Sequence, residues 1–137
     1  MVHTHLDLDV PVEVTSFEQA LPLADWARAM PARTLLVMLI DADGFAFDVL
    51  VYDKGDRRPL DALKIVLSAD VPDVHSILLA SSRGDRSPLR ERQQDIANWS
   101  AMAAMCARKG VNLRDWFIVG GDLMFVPAEL STVGQGW

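Results

Sequence analysis

The stretch that most constrains this chain is Thr34 to Ile40, Thr-Leu-Leu-Val-Met-Leu-Ile, in which every position from Leu35 onward is apolar. A strand sends successive side chains to opposite faces, so an unbroken apolar run leaves it no wet face. The run predicts a central strand buried on both sides. Asp41–Ala42–Asp43–Gly44 reads as a turn, and Phe45 to Tyr52 as a second strand returning antiparallel to the first. Ser76 to Ala80, Ser-Ile-Leu-Leu-Ala, predicts another short buried strand.

Around these runs the chain alternates helix and strand signals. Val10 to Val14 reads as a short strand. Thr15 and Glu18 form a Thr-x-x-Glu capping box, predicting a helix towards Met30 with Phe17, Leu21 and Ala24 on one face. Pro22 predicts a break or kink in it, and Pro31 its end. After a polar loop from Asp53 to Arg58, Pro59 suits the first position of a helix through Leu60, Leu63, Ile65, Val66 and Leu67. Asp70 to Asp73 is a loop, and Ser81 to Ser87 a polar loop containing Gly84. Ser87 and Pro88 then read as cap and first residue of a helix extending to Lys109. Its apolar face is Leu89, Ile96, Trp99, Ala103 and Cys106, widened by Met102 and Met105. Gly110 ends it, Asp115 to Val119 is a strand, Gly120–Gly121–Asp122 a hairpin turn, and Leu123 to Val126 the returning strand. The expected fold class is α/β (α+β): a mixed central β-sheet flanked by helices. Residues 1–9 read as an acidic N-terminal leader, residues 10–130 as one domain, and residues 131–137 as a weakly patterned tail.

Composition excludes several chemistries. The single cysteine, Cys106, cannot form an internal disulfide, and the only histidines are His3, His5 and His75. The net charge of −6 is uneven: residues 1–25 hold Asp7, Asp9, Glu13, Glu18 and Asp25 with no Lys or Arg, leaving the remainder close to neutral. This does not suggest a globally basic nucleic-acid binder. The one cationic stretch has Arg83, Arg86, Arg90 and Arg92 against Asp85 and Glu91. No secretory pattern and no membrane-length apolar run are visible, so a cytoplasmic protein without membrane contact is expected.

Several segments, taken in order, resemble the JAB/MPN (JAMM-type) domain of the bacterial RadC group. Thr15–Ser16–Phe17–Glu18 is similar to its first helix start, and Leu35 to Gly44 to its central strand and following turn. Ile77 to Asp85 (ILLASSRGD) resembles the strand ending in its active-site loop, where the family has His-x-His-Pro-x-Gly-Asp. Gln94–Asp95–Ile96 resembles part of its long helix, and Arg108 to Asp122 its helix end, strand and hairpin turn. The resemblance implies a cytidine-deaminase-like architecture. It also implies a zinc site built from two loop histidines and a helix-start Asp, with a strand Glu as base for the activated water.

The ligands themselves are missing. Anchored on Gly84–Asp85, the histidine positions fall on Leu79 and Ser81, or with a one-residue shift on Ala80 and Ser82. The family's Ser-x-x-Asp step is absent, Ser87 and Asp95 being the nearest residues, and Asp48 stands near the expected strand Glu. The expectation is therefore a non-catalytic RadC-like domain without cofactor, acting as a protein-interaction or scaffold module through a protein partner or as a homodimer. The family name adds a link to DNA repair. The candidate binding loop at the family's active-site position is Ser81, Ser82, Arg83, Asp85 and Arg86. One alternative is a divergent zinc-dependent peptidase or isopeptidase with relocated ligands. Another is a weak nucleic-acid or phosphate binder using Arg83 to Arg92. His3 and His5 with Asp7 and Asp9 mimic a metal site if extended, although an acidic solvated terminus is the simpler reading. His75 reads as a loop histidine without a catalytic role.

Overall fold

A computed structural model describes residues 3–6, 8 and 10–137. In chain order the elements are β1 (His3–Leu6), β2 (Val12–Glu13), α1 (Phe17–Arg28), β3 (Leu35–Ile40), β4 (Phe45–Tyr52), α2 (Pro59–Ser68), β5 (Ser76–Ser82), α3 (Arg92–Arg108), β6 (Asn112–Gly120) and β7 (Leu123–Phe125). Short 3-10 turns cover Gly55–Arg57 and Pro127–Leu130. The strands form one mixed sheet in the order β1-β4-β3-β5-β6-β7, with β2 also paired to β4. β3 lies antiparallel to both β4 and β5, while β5 and β6 are parallel and joined through α3. This is the mixed α/β arrangement that the alternating signals predict.

The apolar runs account for the centre. Every residue of β3 and of β5 is buried. α1 packs on β5 and β6, where Phe17 meets Phe117 edge-on at 5.5 Å between ring centres. α3 packs on β6 and on α2, and contributes the buried side chains of Trp99, Met102 and Cys106. Burial pushes the Cys106 thiol up to about 12, so it is a packed apolar group and not a nucleophile.

Several local expectations are corrected. Part of the expected leader is strand: His3–Leu6 pairs antiparallel with Val49–Tyr52, because the outer edge of β4 offers unpaired backbone groups. The α1 cap sits one residue later than predicted. Ser16 is the N-cap and accepts from the Gln19 N–H, while Gln19 Oε1 accepts from the backbone and hydroxyl of Thr15. The amide of Gln19 thus does the work expected of Glu18. α1 also runs through Pro22, which lies on its exposed side; the bond lost is to the exposed first turn at Glu18, where water can serve. Its buried residues are Ala20, Leu23, Ala24 and Ala27, a face rotated from the one expected.

α3 begins at Arg92 and not at Pro88, because Ser87 closes a local turn. Its hydroxyl accepts from the Leu89 N–H and its carbonyl from the Arg90 N–H. Leu89, expected on the buried face, is therefore half exposed. The C-terminal tail is fastened to the domain. Trp99 Nε1 donates to the Val133 carbonyl, Gly136 and Arg114 share a backbone bond, and Asn112 donates to the Gly136 carbonyl. Trp137 Nε1 and Gln135 Nε2 both donate to Asp115.

Candidate functional site

The polar loop expected at Ser81 to Ser87 starts later than predicted, and its first cation is not in water. Ser81 and Ser82 are the last residues of β5, both buried between β3 and β6, with Ser81 opposite Leu35 and Ile118 and Ser82 opposite Val119. Ser81 Oγ accepts from Trp116 Nε1 at 2.9 Å, and Ser82 Oγ donates to the Met30 carbonyl at 3.3 Å. Arg83 follows, its N–H donating to the Val119 carbonyl, so it sits where the parallel strands β5 and β6 both end. Its side chain is only 2% exposed.

Two carboxylates hold that guanidinium. Arg83 Nε donates to Asp56 Oδ2 at 2.6 Å and Nη2 to Asp56 Oδ1 at 3.2 Å. On the other side Nη1 donates to Asp95 Oδ2 at 3.1 Å and Nη2 to Asp95 Oδ1 at 2.9 Å. Both pairs are two-pronged, which matches the planar fork of Arg to the carboxylate plane. Glu91 approaches Nη1 at 4.0 Å from the surface. Asp56 arrives on the 3-10 turn, pressed against the sheet at Gly55. A β-carbon there would lie 2.7 Å from that of Tyr52 and 2.9 Å from that of Leu35. Asp95 arrives on the first turn of α3.

The electrostatics follow from two anions and one cation out of water. Burial works against the Arg83 charge, but the bonds from Asp95 and Asp56 outweigh it and hold the group protonated more firmly than usual. Burial lifts the Asp95 carboxyl above the usual range, against the opposing pull of Arg83. The arrangement can lock three segments together; every strong donor and acceptor in it is used internally.

The remaining predicted residues are scattered. Asp85 is exposed, and Arg86 is half-buried with its guanidinium 3.9 Å from Glu91. Ser87 serves the turn described above. Asp48 lies on β4 opposite Leu39, at the level of Ile77 and four residues along the strands from Ser81. It accepts from His5 Nδ1 at 2.9 and 3.0 Å instead of facing the loop. The side chains of His3, Asp7 and Asp9, the other members of the terminal metal reading, lie outside the described residues. His75 is exposed at the start of β5, its backbone bonded to Ile40 and Asn112. The burial of Asp56 is not legible in the sequence, since a lone acid in a polar loop carries no local signal of it. A third buried carboxylate, Asp115, has no cation within salt-bridge distance among the described residues; it is served by the Trp116 N–H, Gln135 and Trp137.

The residues do not fit the zinc centre that the resemblance implies. The candidate histidine positions are Leu79 or Ala80 and Ser81 or Ser82, and Ser81 is committed to Trp116. Asp95, the carboxylate on the first turn of the long helix, has both oxygens on the Arg83 guanidinium. Among the described residues, no group of three or more His, Cys, Asp and Glu is placed to hold a metal ion. No helix among them is long and apolar enough to cross a membrane. Compared with protein-family models, with curated proteins and with solved structures, the chain gives no significant match.

Proposed function

We propose that this chain is a non-catalytic RadC-like JAB/MPN domain serving as a protein-interaction or scaffold module. The observation that carries the reading is the Arg83 guanidinium between Asp56 and Asp95. A fixed, fully paired cation stands at the end of β5, the place where the resemblance would put a metal and an activated water. Such a centre has no open coordination position and no free base, so it stabilises a shape and does not turn over a substrate. The element order supports the same framework, with the buried β3–β4 pair, the β5–α3–β6 unit and the closing β6–β7 hairpin. The interaction role draws support from the sheet margin, where Leu123 and Met124 of β7 are exposed apolar residues on an edge strand.

Metal analysis of the purified full chain after dialysis tests the reading. The expected content is far below one zinc per chain, with no change in thermal stability on adding chelator. Stoichiometric zinc that survives dialysis would overturn it. Sedimentation of wild type and of Leu123→Glu/Met124→Glu tests the interaction surface. Self-association that the double variant abolishes is the expected result for a homodimer.

A further inference from the structure

A cleft of about 240 Å³ opens beside the buried Arg83, lined by Arg33, Arg57, Arg86, Asp56 and Glu91. The three arginines come from separate segments: the loop before β3, the 3-10 turn and the loop after β5. The acids on the wall do not balance them. Both oxygens of Asp56 are taken by Arg83. Glu91 is half exposed and shared, at 3.9 Å from Arg86 and 4.0 Å from Arg83. Among the described residues, Arg33 and Arg57 have no carboxylate within salt-bridge distance. Three guanidiniums on one small concavity repel each other, which is a poor arrangement for a wall that merely faces water.

Two further features favour a built site. Arg33 is held at a φ of 73°, a left-handed conformation that side chains rarely adopt. The fold fixes it there from both sides, since its N–H donates to the Ser82 carbonyl and its own carbonyl accepts from Asp56. The cleft also lies at the carboxyl end of the parallel pair β5 and β6, where open α/β sheets take their ligands.

We propose that this cleft binds a small phosphorylated anion, inorganic phosphate or a phosphomonoester, through the side chains of Arg33, Arg57 and Arg86. A phosphoryl group carries close to two negative charges and several acceptor oxygens, matching the two unpaired arginines and the loosely paired third. The size argues for a small ligand, being below the roughly 300–1,000 Å³ of clefts that enclose drug-sized molecules. The proposal does not depend on the chain being non-catalytic.

Calorimetric titration of the full chain with inorganic phosphate, and separately with phenyl phosphate, at constant ionic strength tests it. Saturable one-to-one binding is expected. Arg57→Gln and Arg86→Gln should each weaken it by about tenfold, the usual consequence of losing one hydrogen bond between charged groups. Glu91→Gln should tighten it several-fold by removing a like charge from the rim. Arg108→Gln, at the far end of α3, should leave it unchanged. Tighter binding of the ester assigns a phosphorylated metabolite, and equal binding assigns free phosphate. The proposal fails if neither titrant saturates at tens of millimolar. It fails equally if Arg108→Gln weakens binding as much as Arg57→Gln. A single-stranded oligonucleotide that binds more tightly than both, with a steep salt dependence, would also overturn it in favour of a polymer.

Discussion

Arg83 shows how far a residue's surroundings can depart from its local sequence. Ser-Ser-Arg-Gly-Asp has the composition of a wet loop, yet the guanidinium is buried because Asp56 and Asp95, 27 and 12 residues away, come to meet it. Neither partner could be inferred nearby, since pairing at such separations is set by the sheet and not by spacing along the chain. The same blindness applies to His5 and Asp48, which are 43 residues apart and share a hydrogen bond across β1 and β4. Removing the cation alone should be far worse than removing the whole cluster. Arg83→Met leaves two facing carboxylates buried without a counter-charge, and should cost about 3–5 kcal/mol at neutral pH. Combining it with Asp56→Asn and Asp95→Asn should restore most of that loss. Urea denaturation of the single and triple variants at pH 7 checks both figures. A triple variant no more stable than the single one would mean that the charge is not what Arg83 contributes.

Elements are legible in the sequence to different degrees, and the pattern has a physical cause. β3, β4, α2, β5 and the β6–β7 hairpin were readable because burial on both faces, a proline start or a Gly-Gly turn leaves its mark within a few residues. Element ends were less readable. The start of α3 depends on whether Ser87 caps a helix or closes a turn, and the two share one sequence signature. The tail was unreadable because its anchors are single polar contacts. Gln135 and Trp137 donate two of the three hydrogen bonds that the buried Asp115 carboxylate accepts among the described residues, and Arg114 lies 5.4 Å above the Trp137 ring. Burial raises the Asp115 carboxyl above its usual range, with those bonds pulling it back. Truncation after Val133 should therefore raise it further and destabilise the domain at neutral pH by about 3 kcal/mol, from two lost bonds to a charged group. The sign with pH is fixed. The folded state then binds a proton more readily than the unfolded chain, so its stability increases as pH falls through the folded-state titration towards the unfolded carboxylate's value. The gap between the full and truncated chains should accordingly narrow as pH falls from 7 to the unfolded carboxylate's value, about 4, and thermal melts at both ends measure it. A gap that is constant or wider at the acid end would show that the tail acts by packing alone.

At the scale of the whole molecule, one corner gathers three parts of the chain that are distant in sequence. The 3-10 turn brings Asp56, the end of β5 brings Arg83, and α3 brings Asp95. Until both acids are positioned, the guanidinium is better solvated by water than by half of its final partners. The corner should consequently close only after the sheet and α3 have docked, on the native side of the main folding barrier. Arg83→Lys, which keeps the charge but loses the fork, should accelerate unfolding in proportion to the stability lost while refolding from denaturant keeps its wild-type rate. Stopped-flow chevrons of the two proteins decide this, and a refolding arm slowed by the full loss would place the corner in the nucleus instead. A domain fastened last at this corner owes its native lifetime, more than its speed of formation, to a single arginine.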